Sequence, residues 1–337
     1  MNTKRLTSND IDIAADIIKN GGLVAIPTET VYGLAANALD GKAVSKIFKA
    51  KGRPMDNPLI VHVSCIEEID KLVSEIPPQA KKLANTFWPG PLTIILKRSN
   101  IIPAEVSAGL DTVAIRLPNN DVTRKLIKIA GVPLAAPSAN TSGSPSPTSA
   151  NHVLHDLDGK IDAILDAGDC RVGLESTVIT LPSPVPTLLR PGGITVEELR
   201  NVLGNVEIDK AVIDKVDSLE TVSSPGMKYK HYSPKTKIVI VDGDNESFIK
   251  YVNSRSSDKV AALCYIDDQP KLNVKTVTFG KMNDYNMQAS ELFSALRKID
   301  DLNVNIVYAR CPKKSGVGLA VYNRLIRAAG FEVVKLG

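Results

Sequence analysis

The sequence has 337 residues, 43% of them hydrophobic and 23% charged, the make-up of an ordered globular chain with room for one large core or two smaller ones. A net charge of +4, from 41 Lys and Arg against 37 acidic residues, lacks the basic density of a dedicated nucleic-acid binder, though it permits contact with nucleotides or tRNA. Four cysteines without a CxxC pair exclude a zinc framework and a secreted disulfide scaffold. No apolar stretch reaches the roughly 20 residues of a membrane span, so a cytoplasmic protein with no membrane contact is expected.

The opening MNTKRLTSNDIDIAADIIKN reads as neither signal peptide nor anchor, because polar residues interrupt every apolar stretch. Ile11 to Lys19 is predicted as a helix capped by Ser8-Asn9-Asp10 and stopped by Gly21-Gly22, and Leu23 to Ile26 as a strand ending at Pro27. Ala43 to Ala50 reads as a short helix. Leu59 to Ser64, Leu92 to Lys97 and Thr112 to Leu117 read as strands, with a helix around Ala80 to Asn85. Val122 to Ala130 reads as helix, and Leu134 to Ala136, Ile161 to Asp166, Ser176 to Leu181 and Thr187 to Leu189 as strands. Because several strands follow one another directly, the spacing predicts a twisted mixed α/β sheet with helices packed on it.

Periodicity fades from about Val206 to Ser233 and then resumes. Strands are predicted at Thr236 to Val241, Val260 to Tyr265, Val274 to Phe279 and Asn305 to Ala309, with helices at Glu246 to Asn253, Gln288 to Lys298 and Leu319 to Ala329. That alternation predicts a small Rossmann-like α/β domain with a mainly parallel sheet. The expected layout is a first domain over 1–205, a linker over 206–235 and a second domain over 236–337.

Six constellations carry chemistry. Pro27-Thr28-Glu29-Thr30-Val31-Tyr32-Gly33-Leu34 follows a strand, where three hydroxyls and a carboxylate could order an amino-acid substrate or simply cap the next segment. Lys51 and Arg53 flank Gly52 at the end of a helix, ahead of Asn57-Pro58-Leu59. They could meet a polyphosphate or only complement a helix C-terminus. His62 within its strand is a core group or a base. Arg116 at a strand end is a carboxylate clamp or the partner of an internal acid. Ala136-Pro137-Ser138-Ala139-Asn140-Thr141-Ser142-Gly143 offers short donors and free backbone N–H groups suited to an anion nest. Ser176-Thr177 and Arg190-Pro191-Gly192-Gly193 add donors and a cation that serves phosphate or caps the sheet edge.

Other signatures are absent. There is no GxxxxGK[ST] loop, no GxGxxG after a strand and no GxSxG elbow; Gly316-Val317-Gly318 comes late with the wrong continuation. His152 and His155 lack further metal-ligating residues nearby and read as a solvated helix pair. Residue chemistry alone thus points to an α/β enzyme that binds phosphate and carboxylate.

With these residues set out, the segment from about Thr7 to Gly193 resembles the YrdC-like domain of threonylcarbamoyl-AMP synthases. The remainder resembles the C-terminal domain of the longer, two-domain members. The resemblance rests on PTETVYGL, the lysine-x-arginine element Lys51-Gly52-Arg53, WPGPLT, the serine-x-asparagine element Ser138-Ala139-Asn140, RPGG and HYSP. It implies an adenylyl transfer that joins L-threonine, bicarbonate and ATP into threonylcarbamoyl-AMP and pyrophosphate. The magnesium ion would ride on the nucleotide phosphates, with no metal site of the protein's own. The product would pass to a tRNA threonylcarbamoyl transferase complex acting on adenosine 37, with tRNA itself a candidate contact.

The same resemblance implies catalytic roles for Lys51, Arg53, Ser138 and Asn140. Threonine would be bound by Thr28, Tyr32, His62, Arg116, Ala136 and Ser176. ATP would be bound by Lys51, Arg53, Met55, Asn57, Thr112, Ser138, Asn140, Ser146, Arg190 and Gly226. A lid would come from Lys228, Tyr229, His231 and Tyr232. The alternative is an RNA-binding or scaffolding module of the same modification machinery, without chemistry of its own.

Overall fold

Short apolar runs such as Val24-Ala25-Ile26 are strands of one eleven-stranded sheet, which organises the first of two units. The computed structural model describes residues 2–212 and 232–336; within these the first unit takes 2–142, 146–171 and 175–212, and the second 143–145, 172–174 and 232–336. The first unit runs β1 (Lys4–Leu6), α1 (Ile11–Lys19), β2 (Val24–Ile26), β3 (Gly33–Asn37), α2 (Gly41–Lys51), β4 (Ile60–His62), α3 (Ile69–Leu72) and α4 (Pro78–Phe87). It continues through β5 (Leu92–Lys97), α5 (Ala104–Ser107), β6 (Thr112–Arg116), α6 (Asp121–Ala130), β7 (Leu134–Ala135) and α7 (Ala150–Leu157). It ends with β8 (Ala163–Leu165), β9 (Thr177–Thr180), β10 (Thr187–Arg190), α8 (Val196–Leu203) and β11 (Glu207–Ile208).

The strands lie in the order β1-β8-β2-β3-β7-β4-β6-β5-β9-β10-β11. Parallel pairs such as β4–β6 and β5–β9 alternate with antiparallel ones such as β4–β7 and β5–β6, so the sheet is mixed as predicted. Alternation gives its two faces different fates. One face carries Leu34, Val61, Ile94, Val113, Ile115 and Ile179 into a large core shared with Ile47 and Phe48 of α2, Leu83 of α4 and Leu199 of α8. On the other face α1 and α6 cover Val24, Ile26, Ala35 and Leu134, forming a separate core with Ile18 and Leu126. Farther along that face, Ile60, Ile95, Ala114, Val178 and Leu189 form a small apolar floor.

Some local expectations need correction. Ser8-Asn9-Asp10 is itself a turn of 3-10 helix, capped by Thr7 in a reciprocal box with Asp10. Asp10 makes no side-chain cap bond to α1. The box wins because the Asp10 carboxylate takes both the Thr7 N–H and hydroxyl at 2.8 Å. Gly33–Asn37 is a strand, although its Gly-Leu-Ala-Ala composition lacks the β-branched signature; its tertiary pairing with β2 and β7 overrides propensity. The short edge strands β1 and β11, and helices α5 and α8, went unpredicted.

The second unit runs β12 (Lys237–Asp242), α9 (Asn245–Asn253), β13 (Val260–Cys264), β14 (Lys275–Thr278), α10 (Tyr285–Ile299), β15 (Ile306–Arg310), α11 (Gly316–Ala328) and β16 (Val333–Lys335). Its sheet has the order β14-β13-β15-β12-β16 and every pairing is parallel, in keeping with the predicted strand–helix alternation. α11 is buried on all sides from Gly318 to Ala328, Arg324 included, rather than on one face. Among the described residues no helix is long and apolar enough to cross a membrane.

Candidate functional site

α2 begins at Asp40, whose carboxylate accepts from the N–H groups of Lys42 and Ala43. It ends at Gly52, left-handed with φ +63°, where a side chain would be strained. Lys51 therefore stands on the last helical turn and Arg53 on the far side of the reversal. Lys51 is only 2% exposed. Its Nζ donates to the carbonyl oxygens of Ser138 (2.5 Å) and Asn140 (2.6 Å) and lies 3.4 Å from Asn140 Oδ1. The ammonium is thus buried against the 138–140 loop and does not cap its own helix. Burial, and then the Arg53 charge, push its pKa well below the ordinary lysine value. Arg53 Nη2 reaches the Asn57 and Pro58 carbonyls, both at 3.4 Å, and the buried Asn57 Oδ1 accepts no hydrogen bond from a described residue.

A second group lies on the sheet face that carries the small apolar floor. His62, Arg116, Thr93 and Ser176 each stand two residues from a member of that floor, so alternation turns all four the same way. Arg116 is buried; it donates from Nη1 to Thr30 Oγ1 at 2.8 Å and from Nε to Gly90 O at 3.4 Å. Its Nη2 lies 2.7 Å from Glu29 Oε2. The guanidinium thus pairs with an internal acid, the second of the two roles open to it in the sequence. Thr28 locks the loop that delivers Glu29. Its hydroxyl accepts from the N–H groups of Thr30 and Val31, both at 3.1 Å, and donates to Val31 O. His62 is paired in register with Arg116, and burial and then the Arg116 charge depress its pKa to about 3, so the ring is neutral.

Ser176 Oγ lies 2.7 Å from Thr93 Oγ1 and accepts from Arg190 Nη2 at 3.1 Å, while Arg190 Nε donates to Ser176 O. The RPGG turn is glycine-rich for a reason visible here: a Cβ on Gly192 would come within 2.3 Å of the Thr177 nitrogen. Ser146 donates to Glu175 at 2.5 Å. The Tyr32 hydroxyl donates to Gly168 O at 2.8 Å, and burial raises its pKa above the ordinary phenol value.

Backbone bonds knit these groups together. Gly33 bridges Ser138, Ala139 N–H donates to Tyr32 O, and Ala136 N–H donates to Ile60 O on the strand that carries His62. Tyr32 N–H donates to Pro147 O, next to Ser146, and Thr177 N–H donates to Pro91 O, next to Gly90. Lys51, Ser138 and Arg116 accordingly share one network, and Arg53 stands two residues from Lys51 across the Gly52 reversal. Thr112 sits at the opposite end of β6 from Arg116, about 13 Å along the strand by the usual rise. Met55 is 52% exposed. Tyr232 is buried against Phe293 in the second unit, ring centroids 5.1 Å apart. Gly226, Lys228, Tyr229 and His231 lie outside the described residues.

Structure adds groups that sequence reading did not single out. Asp156 on α7 accepts from the Thr141 N–H at 3.2 Å, steadying the 138–142 loop. Thr93, Glu175 and the buried Cys170 surround the Ser176 and Glu29 corners; of the three only Thr93 lies within a motif of the sequence, as the last residue of WPGPLT. Among the described residues, no three His, Cys, Asp or Glu side chains come together as a metal cage.

Residues 16–192 match the Sua5/YciO/YrdC family model, described as telomere recombination, and residues 194–330 match the model of the threonylcarbamoyl-AMP synthase C-terminal domain. The threonylcarbamoyl-AMP synthase of Pyrococcus abyssi is 44% identical over 340 residues, spanning 99% of this chain and 98% of the relative. That of Bacillus subtilis is 43% identical over 340 residues, spanning 99% and 97%. The crystal structure of P. abyssi Sua5 complexed with L-threonine superposes with a TM-score of 0.90 at 43% identity, covering 100% of both chains. A double-alanine variant of the same protein superposes with a TM-score of 0.93 at 42% identity, covering 99% of this chain and 98% of the other.

Proposed function

Because the chain belongs to the threonylcarbamoyl-AMP synthase family, in its two-domain form, we propose a division of labour inside its first unit. Lys51, Arg53, Asn57, Ser138, Asn140, Ser146 and Arg190 hold ATP, while Thr28, Tyr32, His62, Arg116, Ala136 and Ser176 surround L-threonine. The activity is the family's: L-threonine, bicarbonate and ATP give threonylcarbamoyl-AMP and pyrophosphate, for modification of adenosine 37 in tRNA.

The chemistry explains why such a network is needed. Threonine's amine adds bicarbonate to give a carbamate, whose oxygen attacks the α-phosphorus and expels pyrophosphate. Attacker and target are both anionic, so the site must supply fixed positive charge and hold the two in line. Lys51 supports this role because it is already desolvated and immobilised by oxygens of the 138–140 loop, so little reorganisation remains when phosphate arrives. An arriving polyphosphate would also restore the pKa that burial has lowered. Arg116 offers its remaining donors to the threonine carboxylate. A magnesium ion would enter as part of the nucleotide, since the two carboxylates whose charge reaches Lys51, Asp156 and Glu175, belong to no cluster of three metal-ligating side chains among the described residues. We place the product with a tRNA threonylcarbamoyl transferase complex and the protein in the cytoplasm.

The observation that carries this reading is the buried Lys51 ammonium on the Ser138 and Asn140 carbonyls, knitted by backbone bonds to the strands of His62 and Arg116. The test is pyrophosphate release from ATP, bicarbonate and threonine, with the organic product weighed by mass spectrometry. Release that ignores threonine, or salt-dependent tRNA binding with no ATP consumed, would overturn it.

A further inference from the structure

Glu29 is 4% exposed, and its carboxylate is badly served. Oε2 lies 2.7 Å from Arg116 Nη2, yet neither carboxylate oxygen accepts an aligned hydrogen bond from any described residue, and Nη2 makes none either. The nearby hydroxyls cannot help. Thr28 Oγ1 gives its proton to Val31 O, and Thr30 Oγ1, which accepts from Arg116 Nη1, gives its own to Thr28 Oγ1 at 2.8 Å. A carboxylate kept only to neutralise a buried arginine would ordinarily fill its acceptor sites, because leaving them empty in a dry setting is costly. This one keeps two oxygens without an aligned donor beside the guanidinium that, in the function proposed above, takes the substrate carboxylate. An α-amino acid carries its ammonium one carbon away from that carboxylate.

We propose that Glu29 is the acceptor for the threonine ammonium and takes a proton from it. The step balances: R–NH3+ and Glu29–COO− give R–NH2 and Glu29–COOH. The freed amine nitrogen then attacks bicarbonate, forming the N–C bond and releasing water to leave R–NH–COO−. Glu29 returns its proton to solvent before the next turnover. Arg116 keeps enough donors for both carboxylates, since a guanidinium has five and only two are used at Gly90 O and Thr30 Oγ1. The other titratable groups beside Glu29 or its Arg116 partner hold their protonation across neutral pH. Arg116 is a permanent cation, His62 is neutral with a pKa of about 3, and burial pushes the Cys170 thiol up to about 12.

The experiment compares the full-length protein with Glu29→Gln and Glu29→Asp. Threonine-dependent pyrophosphate release is followed at saturating ATP and bicarbonate from pH 6.5 to 9.5, each rate divided by wild type at the same pH. Glu29→Gln should be slower by about a hundredfold at pH 7, with the deficit shrinking as free amine becomes populated without help. Glu29→Asp, whose carboxylate is drawn back by one methylene, should show a smaller deficit that narrows in the same way and decides the matter if the glutamine variant does not fold. A deficit that stays constant with pH in the folded variants, or none at all, sinks the proposal. A wild type that releases no pyrophosphate with threonine present fails the underlying functional reading instead.

Discussion

Each unit buries an arginine against a carboxylate, and the two pairs are built differently. In the second unit Arg310 donates to the carbonyls of Gly243 (3.1 Å) and Asp244 (2.8 Å), and its guanidinium lies near the rings of Phe248 and Tyr265. Its partner Asp268, 3.5 Å away, accepts from the Tyr265 N–H, while its own carbonyl accepts from Lys271. In the first unit the Arg116–Glu29 pair is closer, at 2.7 Å, but the acid has no aligned donor at either oxygen. Asp268 Oδ1 and Arg310 Nε also lack a partner, yet the other oxygen of Asp268 is taken and its arginine fastens a loop, whereas both oxygens of Glu29 are left without an aligned donor. Distance between charges therefore says little about purpose, and the count of satisfied lone pairs says more.

The contrast can be broken by neutralising each acid. Asp268→Asn should lower the stability of the second unit by about 3 kcal/mol, because it strands Arg310 and weakens the 265–271 turn. Threonine KM should not change. Glu29→Gln should lower stability by about 1 kcal/mol, having fewer bonds to lose, while altering threonine turnover. Urea unfolding followed by circular dichroism, with KM for threonine measured alongside, checks both; a larger stability loss in Glu29→Gln than in Asp268→Asn would reverse the assignment.

The lysines sharpen the same point. Lys51 is enclosed by carbonyl oxygens, whereas Lys314 makes a half-exposed ion pair with Asp242 at 2.8 Å. Lys51→Ala should slow pyrophosphate release by about a hundredfold, or about 2.7 kcal/mol of transition-state stabilisation, with the fold retained. Lys314→Ala should leave the rate unchanged and stability within about 0.5 kcal/mol. Normal rates in Lys51→Ala would remove that ammonium from the phosphate site.

The regular part of this organisation was legible in the chain. Leu92–Lys97 and the alternating strands and helices after Thr236 show their periods directly, because each strand is long enough to bury a recognisable apolar pattern. Gly33–Asn37 was hidden because its identity as a strand comes from its partners Val24–Ile26 and Leu134–Ala135, the second pair far along the chain. At the site, Lys51-Gly52-Arg53 and Ser138-Ala139-Asn140 announced themselves by composition, and the fold joins them. Sequence could not say that Lys51 turns into the 138–140 loop instead of capping its helix, nor that Arg116 meets Glu29. Both depend on which side chains the sheet brings opposite one another.

Acid should separate the two units in sign. His62, neutral and buried, has a folded pKa of about 3 against about 6.5 unfolded, so the unfolded chain binds more protons between those values. Its contribution is complete above about pH 6.5 and declines as pH falls, at up to about 1.4 kcal/mol per pH unit. Burial raises the pKa of Asp268 in the second unit, which works the other way: that group's contribution is present at low pH and is lost as pH rises through its folded pKa. Trp88 is the only tryptophan and lies in the first unit, so its fluorescence reports that unit's unfolding selectively. The Trp88 transition should weaken from pH 7 to pH 5 in the wild type and weaken less in His62→Gln; equal slopes would show that His62 does not carry the effect.

The smallest contrast is between two glycines. Gly52 (φ +63°) and Gly316 (φ +54°) both occupy the left-handed region, and in both a Cβ would project into open space, so strain rather than collision is what alanine would add. Each Gly→Ala change should therefore cost about 1 kcal/mol by the same mechanism. Their functional consequences should differ. Gly52 sets the angle at which α2 hands the chain from Lys51 to Arg53, and a backbone that relaxes out of the left-handed region there must swing Arg53 relative to the Asn57 and Pro58 carbonyls. Gly316 opens α11 in the second unit, away from the Lys-Gly-Arg turn in the sequence. Gly52→Ala should then raise KM for ATP several-fold at a stability loss matched by a kinetically silent Gly316→Ala. If both variants lose stability and neither changes KM, the Lys-Gly-Arg turn is a helix stop and nothing more, and the position of Arg53 does not matter to the nucleotide.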